Sequence, residues 1–409
     1  MIHHLIPLLG IGLAAATAGY AAFAVHAVIN GVRRASDDAL VRYRAAARSA
    51  PRPVSVLKPL CGDEPGLYQN LRSFCLQNHP AFQLLFGVHG EADAAVAVVR
   101  RLQAEFPALD IELVIDASVH GVNRKVTNLL NMLPRAKHEW LVLADSDIGV
   151  SADYLRQVTA PLADPGVGVV TCLYRGVARG NVWSRFGALF IDDWFAPSVQ
   201  VSHAIGSTRF AFGSTIALRR DALEAAGGFE ALRDVLADDF WLGEFTRLKG
   251  LRTVLSNVVV TTDVTDPSLR ALWLHELRWM RTIRAAEPAG FAFTFVTFTF
   301  PVLAAALALA PGLPALCLAA AGAASRVILH LLQRQWRLER IPAWEILLLP
   351  LRDSLLLAEW CASWIGSSVH WRNHVLDALA VVGPPTPPAA APPKAAPQDP
   401  LPHPDSYRP

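Results

Sequence analysis

The sequence has few charged residues for its length. Of 409 residues, 18% are Asp, Glu, Lys or Arg, and 53% are hydrophobic. Charged residues make up roughly 25% of an average soluble protein. This balance excludes a disordered chain and argues against an ordinary cytosolic enzyme, since the apolar excess indicates membrane segments. The net charge is only +2, so no overall basic field attracts nucleic acid, and we expect no nucleic-acid partner.

Closely spaced cysteines are also missing. The chain has five cysteines, an odd number, and they are widely spaced without a Cys-x-x-Cys motif. This pattern argues against a disulfide framework and against a zinc site. Free thiols fit a reducing compartment. The five are Cys61, Cys75, Cys172, Cys317 and Cys361.

The N-terminal segment between Ile6 and Asn30 contains no Asp, Glu, Lys or Arg. A run of this length can cross a hydrocarbon core about 30 Å thick. A cleaved signal peptide is the alternative, but the basic region that should precede its apolar stretch is missing. Arginines follow the run instead. The positive-inside rule therefore predicts that residues 1–31 form a transmembrane anchor whose C-terminal end faces the cytoplasm. The arginines are Arg33, Arg34, Arg42, Arg44, Arg48 and Arg52.

Between residues 53 and 284, short β-branched runs alternate with amphipathic stretches. This alternation is typical of an α/β domain with a largely parallel sheet. Ligands of such sheets bind beyond the carboxyl ends of the strands. Strands are predicted at 54–57, 82–88, 111–115 and 140–144, and helices at 67–76, 94–105 and 125–132.

Apolar segments return after the α/β region, and residues 289–371 are predicted to be membrane-associated. Residues 289–310 and 313–332, joined by a turn at Pro311-Gly312, predict a transmembrane hairpin. Arg326 within the second segment should lie in a protein interior or extend to the membrane surface. Residues 341–370 carry both apolar runs and charges. They predict either an interfacial amphipathic helix followed by a shorter embedded one, or one tilted span.

The C-terminal segment, residues 383–409, contains 11 prolines. Such a composition cannot form a packed core, so this tail is predicted to be disordered.

Asp145-Ser146-Asp147 directly follows the predicted strand at 140–144. Two carboxylates at i and i+2, at the carboxyl end of a strand, are well placed to hold a hard divalent cation that also binds a diphosphate. Taken alone the motif is weak, because a turn that caps the helix near Asp153 explains it equally well.

A second acidic pair, Asp238-Asp239, lies among apolar residues. It predicts either an ordinary helix start or a general base in a partly buried cleft. Further on, Arg278 and Trp279 precede the apolar C-terminal part of the chain. This pair is either an interfacial anchor or a site in which the arginine offsets charge on a departing diphosphate and the tryptophan packs against an acceptor.

A turn at Gly121 leads into basic residues and a predicted helix that contains Lys125 and Asn128. A helix N-terminus with a nearby lysine can bind phosphate. The alternative is an ordinary solvated helix start.

In this order, the motifs resemble the D, D, D, (Q/R)xxRW pattern of GT-A glycosyltransferases of the processive and ceramide type. The segment from Lys58 to Pro65, with Asn70-Leu71, resembles the first strand and loop of ceramide glucosyltransferase-like enzymes, glycosyltransferase family 21. The resemblance runs from about Val54 to Arg284. Within the family, the sequence is most similar to the bacterial glycosyltransferases associated with hopanoid biosynthesis.

The resemblance implies a Rossmann-like GT-A fold and a role for each matching residue. Glu91 is the nearby alternative to Asp93 as the first family aspartate. His275 departs from the pattern, because Gln or Arg is usual there. The implied roles are nucleotide-sugar binding by Pro59, Asp93, Lys125, Asp145 and His275, metal binding by Asp145 and Asp147, and catalysis by Asp239, Arg278 and Trp279.

The resemblance further implies an inverting transfer of one sugar from a UDP-sugar to a hydroxyl of a lipid in the bilayer, with Mg²⁺ or Mn²⁺ as cofactor. The expected location is the cytoplasmic membrane, with the catalytic domain facing the cytoplasm. The expected acceptor is a hopanoid polyol with N-acetylglucosamine as the sugar. Ceramide with glucose is the alternative, and a processive polysaccharide synthase is a more remote one. A non-catalytic scaffold on the same fold is a third class, against which the complete motif set argues.

Overall fold

The computed structural model describes residues 2–46, 51–335, 342–371 and 374–377. The predicted tail at 383–409 lies outside these residues, and so does Arg48.

Within the described ranges, helices and strands alternate in the first half of the chain, and helices dominate the second half. The helices are α1 (Ile2–Ala46), α2 (Leu67–Cys75), α3 (Ala95–Glu105), α4 (Arg124–Met132), α5 (Tyr154–Thr159), α6 (Val182–Phe190), α7 (Ala196–Ala204), α8 (Arg220–Ala225), α9 (Asp238–Leu248), α10 (Leu269–Ala286), α11 (Pro288–Ala292), α12 (Thr299–Leu309), α13 (Leu313–Gln335) and α14 (Leu349–Ser363). The strands are β1 (Val54–Pro59), β2 (Phe82–Val88), β3 (Asp110–Ile115), β4 (Trp140–Leu143), β5 (Ile148–Gly149), β6 (Val167–Ala178), β7 (Ile216–Arg219), β8 (Arg252–Val264), β9 (Ser368–Trp371) and β10 (His374–Asp377).

An eight-stranded sheet in the order β3-β2-β1-β4-β7-β6-β8-β5 forms the centre of the α/β region. The four strands β3, β2, β1 and β4 are parallel. β7 is antiparallel to both of its neighbours, and β5 is antiparallel to β8. The predicted α/β class is confirmed, but the sheet is mixed rather than largely parallel. One α-helix separates each of the strands β1 to β4 from the next, whereas two helices separate β6 from β7 and β7 from β8, so these later connections are not single-helix crossovers between parallel strands.

Both faces of the central strands are buried. On β1, Val54 and Val56 pack into one apolar cluster while Leu57 packs into the cluster on the opposite face. All four residues of β4 are buried. Strands covered on both faces are apolar throughout rather than alternating, which explains the continuous apolar runs in the sequence.

Two helical segments, Leu5–Gly31 and Leu313–Arg334, are long and apolar enough to cross a membrane by length and composition. They pack closely through small residues. A Cβ atom on Gly322 would lie 3.2 Å from the Cα atom of Ala18. The first segment also packs closely against α12, since a Cβ atom on Gly10 would lie 2.8 Å from the backbone oxygen of Ala306. Small residues at helix contacts let backbones approach in this way in membranes.

Residues 289–310, predicted as one span, do not form one helix. They are divided between α11, a 3₁₀ turn at Thr294–Thr297 and α12. α12 has 11 residues, and at 1.5 Å per residue it is about 16 Å long, too short to cross the hydrocarbon core. Side-chain packing explains the break. Phe291 and Phe298 are buried in the protein, and the indole of Trp194 donates a hydrogen bond to Thr297 Oγ1 at 2.8 Å.

Residues 342–371 do not form one continuous helix, and their relation to the membrane stays a prediction. A 3₁₀ helix at Ala343–Leu348 leads into α14, which has 15 residues. The charged residues Arg352 and Asp353 are buried, while Leu347 and Leu351 are 74% and 60% exposed. α14 therefore presents apolar side chains outward and keeps its charges inside the protein.

Arg326 lies in a protein interior, as one of the two predicted alternatives requires. Its guanidinium is 2.9 Å from Asp353 Oδ1 and 3.5 Å from Asp193 Oδ2. Asp193 belongs to a π-helical turn, Ile191–Phe195, that joins α6 to α7. This arrangement connects α13 to the α/β region through buried ion pairs.

Candidate active site

A cavity of about 410 Å³ lies at the carboxyl ends of β1 and β4, where the start of α9 and one face of α10 also line it. This size is within the range of small-molecule sites. Of the nine predicted site residues, only Asp93 does not line this cavity. The eight that do are Pro59, Lys125, Asp145, Asp147, Asp239, His275, Arg278 and Trp279.

Lys125, in the first turn of α4, carries the positive charge at the centre of the cavity. Its Nζ lies 2.7 Å from Asp145 Oδ1 and 3.6 Å from Asp238 Oδ2. Burial alone would lower the pKa of Lys125, but Asp145, Asp238 and Asp239 raise it above its ordinary value. The lysine is therefore a fixed cation at neutral pH and can attract a phosphate.

The Asp145–Asp147 turn holds two carboxylates in different environments. Asp147 Oδ2 accepts a hydrogen bond from Thr262 Oγ1 at 2.6 Å. Burial, together with the charge of Asp145, raises the pKa of Asp147 to about 6. Lys58 supports the turn, because its Nζ donates to the Asp145 carbonyl oxygen at 2.7 Å. Burial lowers the pKa of this lysine to about 7.

The donor set of this turn fits a divalent cation that binds phosphate oxygens as well. Within the described residues, no cluster of three His, Cys, Asp or Glu side chains has the arrangement of an all-protein metal site. Mg²⁺ commonly binds one or two carboxylates plus substrate phosphates, which needs no third side chain. The raised pKa of Asp147 shows that negative charge is unfavourable there, and a cation would relieve it.

Asp239 lies in the first turn of α9, and its carboxylate is held by backbone groups. The N–H of Gly213 donates to Oδ2 and that of Phe240 donates to Oδ1, both at 2.8 Å. Burial, followed by the charge of Asp238, raises the pKa of Asp239 to about 6, although Lys125 opposes the shift. A carboxylate with this pKa can accept a proton near neutral pH. Asp239 is thus both a helix-start residue and a candidate base.

On α10, His275, Arg278 and Trp279 share one face with Thr282, at the i, i+3, i+4 and i+7 spacing, and all four line the cavity. The His275 and Trp279 rings meet edge to face at 4.8 Å. His275 Nδ1 lies 3.3 Å from Asp266 Oδ1. The helical period thus brings all the predicted residues of this motif to the site.

Burial lowers the pKa of Arg278, while Tyr174, Asp145 and Asp239 act in the opposite direction. An arginine stays protonated throughout the physiological range. Arg278 therefore supplies a further permanent cation to the cavity.

Asp93 lies outside the cavity, after the carboxyl end of β2. Its Oδ1 accepts hydrogen bonds from the N–H groups of Gly62 and Ala95, each at 2.9 Å. It therefore connects the loop after β1 to the start of α3. Its implied contact with the nucleotide base remains a prediction, and the rival Glu91 is exposed.

Tyr174 and Gly213 are among the cavity residues that the motif analysis did not identify. Tyr174 lies within the long strand β6, where no local pattern distinguishes it. Gly213 faces the charged centre: a Cβ atom there would be 2.7 Å from Lys125 Nζ and 3.0 Å from Asp145 Oδ2. A glycine in a loop after an aromatic run was the available signal for this close approach.

The mixed α/β sheet with acidic residues at the end of β4 defines a GT-A fold. Residues 13–380 match Glycosyl transferase family 21. This match covers most of the chain, and the protein belongs to that family.

Among curated relatives, the chain is 26% identical over 251 residues to "Ceramide glucosyltransferase 1" of Caenorhabditis elegans, covering 60% of this chain and 54% of the relative. It is 24% identical over 239 residues to "Ceramide glucosyltransferase 3" of the same organism, covering 58% and 51%. The chain thus spans about half the length of these relatives.

Among solved structures, a mannosyltransferase from Pyrobaculum calidifontis in complex with GDP-Man and Mn²⁺ matches with a TM-score of 0.50 and 22% identity. The match covers 84% of this chain and 99% of that one. At this identity the likeness shows a shared fold.

Proposed function

We propose that this protein is a membrane-bound inverting glycosyltransferase that transfers one sugar from a UDP-sugar to a hydroxyl of a membrane lipid. The observation that carries the proposal is the pairing, in one cavity, of a carboxylate with a pKa of about 6, Asp239, with the cations Lys125 and Arg278. A base and a charged leaving-group site are the two elements that this reaction requires.

In the proposed reaction, Asp239 takes the proton from the acceptor hydroxyl. The hydroxyl oxygen forms a bond to the anomeric carbon on the face opposite the leaving group, and the bond from that carbon to the diphosphate oxygen breaks. UDP leaves with the electron pair. Lys125 and Arg278 offset the charge that develops on the diphosphate. Trp279 packs beside the acceptor, and His275 donates a hydrogen bond to phosphate.

Asp145 and Asp147 would hold the divalent cation, Mg²⁺ or Mn²⁺. When bound, it neutralises charge on the diphosphate. Asp93 and Pro59, which border the β1 loop, are proposed to position the nucleotide.

We propose two candidate combinations of acceptor lipid and sugar. The resemblance of the sequence favours a hopanoid polyol with N-acetylglucosamine as the sugar. The names of the curated relatives favour ceramide with glucose. A hopanoid polyol and ceramide each present a hydroxyl at a membrane surface, so a direct comparison of the two as acceptors distinguishes them.

A two-by-two assay tests the proposal. Detergent-purified protein with Mg²⁺ receives UDP-N-acetylglucosamine or UDP-glucose together with a hopanoid polyol or ceramide, and mass spectrometry reads the lipid fraction. One glycosylated lipid in one combination identifies donor and acceptor together. A ladder of sugars would support a polysaccharide synthase instead. UDP binding without product in any combination would eliminate both acceptors.

For the membrane, we propose that residues 1–31 and 313–334 are embedded, that residues 53–284 form the cytoplasmic catalytic domain, and that residues 289–371 hold it against the bilayer. The exposed thiols Cys61 and Cys317 permit a test, since they belong to the β1 loop and the start of α13. A membrane-impermeant maleimide should label Cys61 in inverted vesicles and leave it unlabelled in intact cells. Labelling of Cys61 from outside the cell would overturn the orientation.

A further inference from the structure

α10 has a second face, next to the one that lines the cavity, and it carries a buried acidic residue. Glu276 lies between His275 and Arg278 in sequence and is 2% exposed. Its carboxylate points away from the cavity and meets Arg352 of α14. One helix therefore presents the reaction residues on one side and an ion pair on the other.

The ion pair has the geometry of a two-bond fork. Arg352 Nη1 donates to Glu276 Oε1 at 3.1 Å, and Nη2 donates to Glu276 Oε2 at 2.6 Å. Nη2 also donates to Glu359 Oε2 at 3.0 Å, and Nη1 donates to the carbonyl oxygen of Phe186 at 3.3 Å. One fully buried guanidinium thus links α14 with α10 and α6.

A second path leads from Arg352 to the cavity through aromatic rings. The guanidinium carbon lies 5.7 Å from the centre of the Phe190 ring. That ring is 5.2 Å from the ring of Trp279. Arg352 therefore contacts Phe190, which packs against Trp279, as well as Glu276, which precedes Arg278 by two residues on α10.

A contribution to the stability of the folded protein does not by itself explain the buried contacts of Arg352 with Glu276 and Glu359. Replacing a buried ion pair by apolar residues of similar volume is often neutral or stabilising, because desolvation of the charges offsets their attraction. Charge-assisted forks, in contrast, accept a narrow range of angles and distances. A buried fork is therefore suited to setting the rotation and height of a helix.

We propose that Arg352 is a positioning residue: through Glu276 and Phe190 it fixes α10, and with it Arg278 and Trp279, relative to the rest of the cavity. The inference rests on the proposed function for its kinetic consequence, but its geometric content concerns α10 alone. The neighbouring Asp353 pairs with Arg326 of α13, so the same turn of α14 joins the membrane-associated helices to the site.

The test compares the native protein with Arg352→Met/Glu276→Leu/Glu359→Leu, which removes all three ionisable side chains together and leaves no partner of the ion pair buried alone. We expect the triple variant to fold with a melting temperature close to native. Its kcat should fall by about tenfold to a hundredfold, since a displacement of about 1 Å costs this much. The donor KM and the affinity for UDP should change less than kcat: the β1 and β4 loops are untouched, and only His275 and Arg278 among the proposed phosphate contacts lie on α10. Amide exchange over residues 269–286 should accelerate.

Arg72→Met is the matched control, because it removes an exposed ion pair with Glu105 on α2 and α3. We expect native kcat and native exchange in α10. A folded triple variant with native kcat and native exchange over residues 269–286 would overturn the proposal. Exchange does not depend on any substrate, so it tests the positioning role even if the assigned reaction is wrong.

Two milder variants keep the test decisive if the triple variant does not fold. Glu276→Gln retains the shape of the acceptor, and Arg352→Lys retains the charge but not the fork. Each should lower kcat more than it raises KM, with partial retention of activity. Native kcat in both folded variants would contradict the positioning role.

Discussion

Asp239→Asn gives the sharpest test of the proposed base, because its effect on folding can be worked out beforehand. Each carboxylate oxygen of Asp239 accepts one backbone N–H, from Gly213 and from Phe240. An asparagine amide has only one oxygen, so in either orientation its NH₂ group faces a backbone N–H. A buried donor left without an acceptor costs about 1–3 kcal/mol.

The loss of charge acts in the opposite direction. The pKa of Asp239 is raised from 3.8 to about 6, and each pKa unit corresponds to about 1.4 kcal/mol. The ionised carboxylate therefore destabilises the folded protein by about 3 kcal/mol at pH 7. Asparagine relieves this penalty, and the two effects nearly cancel. The variant should fold with a melting temperature within a few degrees of native.

Activity should respond very differently. Loss of a general base typically lowers kcat by about 10²- to 10⁴-fold. Lipid product is measured by mass spectrometry, UDP affinity by calorimetry and folding by thermal melting in the same detergent. A variant that folds, binds UDP and retains kcat within about tenfold of native would remove Asp239 as the base.

The native enzyme should show the matching pH dependence. A base acts only when it is deprotonated, so kcat at saturating UDP-sugar and Mg²⁺ should be constant above pH 7 and fall as the pH drops through about 6. Asp147 has a similar pKa, but its protonation should weaken cation-dependent UDP binding rather than the chemical step. A profile that is flat from pH 8 to pH 5 would contradict the assignment.

Three further outcomes are expected. Gly213→Ala should lower kcat, because the new Cβ would lie 2.7 Å from Lys125 Nζ. Gly290→Ala should leave kcat unchanged, because Gly290 faces open space, and equal activities of the two variants would refute the close approach at Gly213. Asp147→Asn should weaken the apparent affinity for Mg²⁺ or Mn²⁺ at least about tenfold in a metal titration, and full native activity in chelator would refute the cation site. His275→Gln should retain most of the activity, since glutamine can also donate a hydrogen bond; complete loss would show a role that glutamine cannot fill.

The sequence was sufficient where local pattern and structure agree. The strand at 140–144 was predictable because a buried parallel strand is continuously apolar. The acidic turn after it was predictable as a site because ligands bind at the carboxyl ends of such strands. The 275–279 motif was predictable as one cavity face because helical spacing brings these residues together. Asp93 was assigned by resemblance, and the structure places its side chain on backbone groups outside the cavity.

The features that could not be predicted depend on packing between residues far apart in the sequence. Residues 289–310 were predicted as one span because hydropathy cannot distinguish a lipid-facing phenylalanine from one buried in the protein. The partners of Arg352 and Arg326 could not be predicted either, since Glu276 and Asp193 lie 76 and 133 residues away in sequence. Local periodicity contains no information on contacts at such separations.

The ion pairs of Arg326 relate the depth of α13 in the proposed bilayer to the depth of the cavity. Arg326 follows the start of α13 by 13 residues, which corresponds to about 20 Å along the helix axis. In the proposed membrane placement, with the Pro311-Gly312 turn at the far surface of a hydrocarbon core about 30 Å thick, Arg326 and its partner Asp193 would lie about 10 Å beneath the near surface. Ile191, two residues before Asp193, lines the cavity. The proposed placement would therefore immerse the protein partly in one leaflet, and the proposed lipid acceptor would reach the cavity by lateral diffusion while its chains remain in the membrane.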